Sequence, residues 1–357
     1  MTNVQAQDIY PTQAAPLRAF VTAILEAGGA APEDAVFVAE VLVEADLRGV
    51  ESHGVTRLAG YMEMISRDLL NPTPNITVLH DSMATASIDG DMGFGMLAAL
   101  RGMNMAIDKA REYGLGAVTS RNMAHTGMVG YYTMHAASQG MIGMAMNNGP
   151  TIVPPFGGLT PTYATNPFSI AFPAGDEQPV VLDMATSMVA AGKLRLAAKK
   201  GAPIPIDWGM DREGNPSSDP AEVLQHGFLQ WAGGYKGFGV ATMVEILGGV
   251  LSGGLFGLGV PALVNFGQDP LIANGFYLAI DIQRFMPLAD FHSKVDTLVQ
   301  NVRSSKPAIG VDRVYIAGEP EFERKKLRLI EGIPLSGAVF EELESLSQQY
   351  EVAFSLR

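Results

Sequence analysis

Apolar residues spaced three and four apart run through the first part of the chain, and from about residue 85 they give way to short apolar stretches alternating with helical ones. Between 33 and 47 they fall at Val36, Ala39, Val43 and Leu47, one face of a helix. Pro32 suits its first turn, where a missing N–H costs nothing. A second helix is predicted with Leu58, Met62 and Ile65 on one side; if it begins by Ser52, then His53, Arg57 and Tyr61 fall at i, i+4 and i+8 and share one pocket. Pro72 and Pro74 close this region.

The middle of the chain predicts strands at 85–89, 116–119, 141–146 and 180–183, and helices at 95–113 and 132–139, which is the alternation of an α/β fold. The tail returns to helices, one at 321–329 and one carrying Val339, Leu343, Leu346 and Tyr350. We therefore expect the two ends to pack together as a helical domain, 1–72 with 318–357, beside an α/β region of two subdomains at 73–317. No internal repeat or low-complexity tract interrupts this plan.

Composition narrows the function. With 357 residues, 47% of them hydrophobic, the chain can bury a large core, and length alone suggests about two domains of roughly 150 residues. A net charge of -13 without any basic run excludes nucleic acid as a partner. The absence of cysteine removes disulfides, thiolate metal sites and cysteine nucleophiles, and fits the cytoplasm. The first residues show neither the basic nor the apolar region of a signal peptide. The apolar stretch 240–264 has the length of a membrane span, but Glu245 and its glycines favour a buried helix and a loop, so no membrane contact is expected.

Two clusters carry candidate chemistry. In Arg48-Gly49-Val50-Glu51-Ser52-His53-Gly54-Val55-Thr56-Arg57, an imidazole that titrates near neutrality stands close to a guanidinium fork suited to a carboxylate, with Ser52 or a nearby carboxylate able to fix the ring's tautomer. A capping histidine and a surface ion pair are the plainer alternatives. The second cluster, Asn122 to Tyr132, sets His125 among glycines. A dinucleotide fingerprint G-x-G-x-x-G is absent. An anion could instead meet a helix N-terminus at Asp183-Met184-Ala185-Thr186-Ser187, against the alternative of an ordinary cap, and Lys236 between glycines could reach a phosphate or stand solvated. Thr165-Asn166-Pro167 is a shaped turn. His125 and His135 are too far apart for a familiar zinc motif, so no metal is expected. A Ser52–His53 nucleophile pair is disfavoured because neighbours on a helix rarely face each other. A non-catalytic binding protein is the other reading from a different class.

Together these residues resemble the type 2 malate/L-lactate dehydrogenase family, whose members include malate, sulfolactate and ureidoglycolate dehydrogenases, diketogulonate reductases and reductases of cyclic imino acids. The likeness covers nearly the whole chain. It rests on Arg48-Gly49, Ser52-His53-Gly54 and Arg57; on His125, Gly127 and Gly130-Tyr131-Tyr132; on Thr165-Asn166-Pro167 and Leu182 to Ser187; and on Trp208, Asp211, Gly214, Asp219-Pro220, Tyr235-Lys236-Gly237 and Gly318-Glu319-Pro320. The resemblance implies a mixed-sheet α/β fold that binds NAD or NADP without a Rossmann domain, a homodimer, and hydride transfer to or from C2 of a small 2-oxo or 2-hydroxy acid, or of a cyclic 2-imino acid. It implies that His53 or His125 exchanges the proton, with Ser52 and Asp183 in support. It further implies that Arg57, Tyr61 and Arg48 hold the substrate carboxylate, and that Asn148, Thr165, Asn166, Asp183, Met184, Ala185, Lys236, Gly318, Glu319 and Pro320 border the cofactor. Departures from the family at Met123-Ala124, Thr126 and Asn148-Gly149-Pro150 are expected to line the substrate pocket.

Overall fold

The structure is a computed structural model that describes residues 9–199, 201–263 and 265–356. At its centre is a seven-stranded mixed sheet with the spatial order Thr77–Asp81, Thr85–Asp89, Leu115–Met123, Ala273–Asp281, Met141–Asn147, Phe168–Phe172 and Val180–Met184. Thr85–Asp89 and Leu115–Met123 run parallel, and the other neighbouring pairs are antiparallel. The parallel pair requires a crossover, supplied by the helix Gly95–Tyr113. Its Met103, Ala106, Ile107 and Ala110 pack on Val118, Tyr277 and Ala279 in one core cluster.

The two ends of the chain meet directly. Strand Ile9–Thr12 pairs antiparallel with Ile333–Ser336, and helices Ala14–Ala27, Pro32–Leu47 and Gly337–Gln349 share a second core. The helix Pro32–Leu47 starts with proline and two acids that suit its N-terminal dipole. Val36, expected on its buried face, is 49% exposed. The inward positions are Ala35, Val38, Ala39 and Leu42, because from Val41 to Leu47 the helix is enclosed on all sides and its short apolar pattern no longer marks a single face. Glu44 on this helix pairs with Lys325 at 2.7 Å and with Arg48 at 2.6 Å, tying it to the C-terminal helix Glu319–Glu331.

A third, smaller core forms around Val153, Leu194, Ile204, Val223, Leu229 and Trp231, beside a three-stranded sheet of Gly209–Met210, Pro216–Ser217 and Phe228–Leu229. Asp219 caps its helix Pro220–Gln225, and Asp211 closes the hairpin turn by accepting from the amides of Glu213 and Asn215. These residues of the family pattern are thus structural.

The helix and the loop expected within 240–264 both form, but the helix is buried on one side only. Helix Tyr235–Val244 runs into a π-helical turn, Glu245–Val250, with Val240, Met243, Ile246 and Leu251 exposed. The inward side carries Ala241, Val244 and Glu245, whose carboxylate accepts hydrogen bonds from Asn148 Nδ2 (3.1 Å), Asn166 Nδ2 (2.8 Å) and the Gly257 amide (2.8 Å). No helix among the described residues is long and apolar enough to cross a membrane.

Candidate active site

After Leu47 the chain does not resume an α-helix until Leu58. Two 3-10 turns, Glu51–His53 and Val55–Arg57, fill the gap on either side of Gly54, whose backbone is extended. The helix predicted from Ser52 is corrected accordingly. The cause is Asp46, whose buried carboxylate accepts a hydrogen bond from the Val55 amide at 2.8 Å and closes against Gly54, where any Cβ would overlap it. Burial pushes the Asp46 carboxyl up to about 8. We expect Gly54→Ala to lose about 1–3 kcal/mol of stability through this overlap, seen as a lower urea midpoint; an unchanged midpoint would show that the carboxylate can step aside.

The side chains converge even without a continuous helix. The His53 and His125 rings stack with centroids 5.2 Å apart, and Tyr61 Oη lies 2.7 Å from His125 Nδ1. Ser52 Oγ lies 2.8 Å from His53 Nδ1, so these neighbours do face each other, because they sit in a 3-10 turn and not in the regular helix expected. Each imidazole therefore has Nδ1 engaged, while Nε2 has no hydrogen-bond partner among the described residues. Arg57 Nε donates to the Ser52 carbonyl at 2.6 Å, and its guanidinium carbon sits 4.7 Å over the Phe266 ring.

Enclosure by protein, then the Arg57 cation, lower the His53 imidazole to about 3. Burial, His53 and Arg57 together hold His125 well below the ordinary histidine range. Both rings are thus neutral near pH 7, the form that accepts a proton.

Of these groups Ser52, His53 and Arg57 border a cavity of about 940 Å³. Arg48, Ser52, His53 and Arg57 line it from the N-terminal segment, Thr165 and Asp183-Met184-Ala185 from the edge of the sheet, and Gly318 and Glu321 from the C-terminal segment. His125 and Tyr61 are in contact with this wall through His53 but do not line the cavity; Tyr61 is buried and its hydroxyl is directed to His125.

The remaining expected residues lie elsewhere. Asn148 and Asn166 are buried against Glu245, and Lys236 is exposed in the first turn of its helix. Glu319 pairs with Arg303 at 3.0 Å and accepts from the Ile316 amide, with Pro320 following it in the first turn of its helix. Met123, Ala124, Thr126 and Asn148 do not line the cavity, so the expectation that they shape the pocket is corrected. Thr186 and Ser187 donate to the backbone carbonyls of Thr165 and Val189, and the next helix starts only at Ala191; the strand-to-helix anion site expected at 183–187 is not formed. Gly192 and Lys193, near the start of that helix, line the cavity instead. Sequence reasoning passed over Lys193, Glu321 and Phe266. The one signal for Phe266 was a glycine, Gly60, inside the helix Leu58–Ser66.

Asp183 is open to the cavity on one side and enclosed by protein on the others. Its Oδ2 accepts from the Gly130 amide at 2.9 Å, and it makes no hydrogen bond to His53. Enclosure, aided by Glu321 and opposed by Gly130 and Arg48, raises its carboxyl to about 6. The folded protein then takes up this proton before the unfolded chain does, so the group's stabilising contribution is present below pH 3.8 and is lost as pH rises through about 6. Asp183→Asn should therefore be more stable than the wild type at pH 8, by a margin that shrinks towards pH 4. A margin that grows on acidification would contradict this.

The malate/L-lactate dehydrogenase family model matches residues 12–344. The malate dehydrogenase of Pyrococcus horikoshii is 40% identical over 343 residues, covering 94% of each chain. The L-sulfolactate dehydrogenase of Methanocaldococcus jannaschii is 36% identical, over 91% of this chain and 93% of its own. Among solved structures, malate dehydrogenase from Entamoeba histolytica superimposes with a TM-score of 0.91 at 30% identity, covering 98% of this chain and 100% of that one. Sheet, site and sequence agree: this chain belongs to the malate/L-lactate dehydrogenase family and is an oxidoreductase of 2-hydroxy acids.

Proposed function

We propose that the protein transfers a hydride between a nicotinamide cofactor, NAD or NADP, and C2 of a small 2-oxo or 2-hydroxy acid such as malate or lactate. The observation that carries this reading is the meeting of two neutral imidazoles with the Arg57 guanidinium beside one cavity: proton exchange and carboxylate binding are available at the same place. At about 940 Å³ the cavity is at the upper end of the ordinary range for ligand pockets, roughly 300–1,000 Å³. Val181, Met184 and Val189 offer apolar wall for a nicotinamide ring, and Lys193 offers a cation for the cofactor's phosphates. With no glycine fingerprint in the chain, the cofactor is held by these side chains and the edge of the sheet in place of a Rossmann unit.

Bound NAD(P)H supplies the hydride. Arg57 takes the substrate carboxylate in a charge-assisted hydrogen bond, which fixes C2 relative to the histidines. His53, which lines the cavity, gives a proton through Nε2 to the oxygen as charge develops there, and recovers it in the oxidative direction. Ser52 holds His53 Nδ1, and Tyr61 holds His125 Nδ1, so the two rings keep fixed orientations. The cavity lies at the seam of the helical unit formed by the chain ends and the α/β region, which supports treating these as two domains. The exposed apolar side chains Val240, Met243, Ile246, Leu251, Phe256 and Leu258 support a homodimer formed through this face.

Oxidation of NADH and of NADPH against a panel of 2-oxo acids and cyclic imines tests the reading. Turnover on a 2-oxo acid is expected. No turnover on any of them, together with no nicotinamide binding, would overturn it in favour of a binding protein.

A further inference from the structure

One buried carboxyl, that of Asp46, stands behind the turns that carry His53 and Arg57 and takes no part in the chemistry proposed above. It is 2% exposed in the last turn of the helix Pro32–Leu47, a place where a carboxyl is costly unless it has a dedicated partner. Its partner is the Val55 amide, 2.8 Å from Oδ2 and nine residues along the chain. That amide opens the second 3-10 turn, where no helical carbonyl lies behind it to accept the bond. Asp46 thus does for Val55–Arg57 what an N-cap side chain does for a helix, but from a different element. The base from which it reaches is itself held. Arg328 donates to the Asp46 carbonyl and, at 2.6 Å, to the carboxylate of Glu51, which opens the first turn.

We propose that Asp46 is a positioning residue that sets the His53 imidazole and the Arg57 guanidinium in register with each other. The inference rests on the dehydrogenase reading above. His53 ends the first turn and Arg57 the second, so the junction between the turns decides how the two side chains stand relative to each other. Each turn is closed by its own backbone bond, from the Gly54 amide to the Glu51 carbonyl and from the Arg57 amide to the Gly54 carbonyl. Neither bond acts on the two Gly54 dihedrals, φ -90° and ψ -153°, and glycine restrains its own dihedrals least of all residues. The Arg57 side chain spans the junction to reach the Ser52 carbonyl, while Asp46 binds the junction's backbone: one carboxyl covers the Gly54 Cα and accepts from the next amide, which restrains both dihedrals.

The test measures kcat and KM for a 2-oxo acid, and the dissociation constant of NAD(P)H, in Asp46→Ala and Asp46→Asn, each also combined with His53→Ala. Asp46→Ala should lower kcat roughly ten- to a hundredfold, the scale of a displacement of about 1 Å at a reacting centre, and should raise KM. Cofactor binding, which the reading above assigns to Met184, Val189 and Lys193 on other elements, should change little. Asp46→Asn should restore most of kcat. Burial above all raises the native carboxyl to about 8, so it is uncharged near pH 7, and an amide oxygen can accept the same bond. In the His53→Ala background Asp46→Ala should lower kcat no further. An unchanged kcat in Asp46→Ala, equal impairment in Asp46→Asn, or an equal additional loss without His53 would each overturn the proposal. If Asp46→Ala does not fold, Gly54→Ala, whose methyl displaces the same carboxyl, takes its place under the same outcomes. An inactive wild type sinks the dehydrogenase reading and this inference with it; an active wild type indifferent to Asp46→Ala sinks only the inference.

Discussion

Replacing His53 with alanine is expected to lower kcat about 10²–10⁴-fold, the usual contribution of a positioned acid or base, while nicotinamide binding stays close to that of the wild type. The expectation follows from position: His53 lines the cavity with Nδ1 held by Ser52 and Nε2 without a hydrogen-bond partner among the described residues. His125→Ala should be the milder variant, since that ring lies behind His53 and is held by Tyr61. The reverse order, with His53→Ala close to normal and His125→Ala inactive, would transfer the proton exchange to His125. The depressed imidazoles also give the two directions of the reaction different pH behaviour. Oxidation of a hydroxy acid needs a neutral base, and His53 at about 3 is neutral across the physiological range, so the oxidative rate should hold well below pH 6. Reduction needs the protonated ring, and a bound carboxylate favours it by neutralising the Arg57 charge that otherwise opposes it.

What could be seen in the sequence depended on how local its cause was. The helix Gly95–Tyr113 and the strand Val180–Met184 follow from period and punctuation within their own residues, and both were expected almost to the residue. Strand Leu115–Met123 runs four residues past the expected 116–119, because pairing with Ala273–Asp281, far away in sequence, extends it. The two 3-10 turns around His53 were hidden for the same reason. Gly54 is visible, but the Asp46 carboxylate that makes it necessary is reached only through the fold.

The candidate site divides along the same line. Ser52, His53 and Arg57 are close in sequence and meet at one wall of the cavity, and Asp183, Met184 and Ala185 supply another. Asn148 and Asn166 have the residue types of a ligand site, yet they serve a buried carboxylate, Glu245, about 80 to 100 positions away. A hydrogen-bonding side chain in a glycine-rich turn carries no mark of which partner the fold will bring to it. Phe266 is the opposite case, an ordinary residue type in an unremarkable loop, made a partner of Arg57 by the missing side chain of Gly60.

Arg57→Ala is expected to raise KM for carboxylate substrates roughly thirtyfold or more, since removing one side of an enclosed charge pair typically costs about 2–5 kcal/mol. The loss should be confined to substrates bearing the carboxylate: an ester analogue, bound weakly by the wild type, should be bound no more weakly by the variant. A second effect distinguishes Arg57 from a residue that only shapes the pocket. Its cation is the second cause of the low His53 imidazole and the third for His125, after enclosure in both cases. Without it both rings should move back up towards the ordinary histidine value, and since the oxidative direction needs them neutral, the acid limb of that rate profile should shift to higher pH. Arg57→Lys should keep the charge and leave this limb in place, while still binding the carboxylate less well because an ammonium lacks the planar fork that stacks on Phe266. A KM unchanged in Arg57→Ala, with an acid limb that does not move, would remove Arg57 from the substrate site and leave its bond to the Ser52 carbonyl as a brace for the His53 turn.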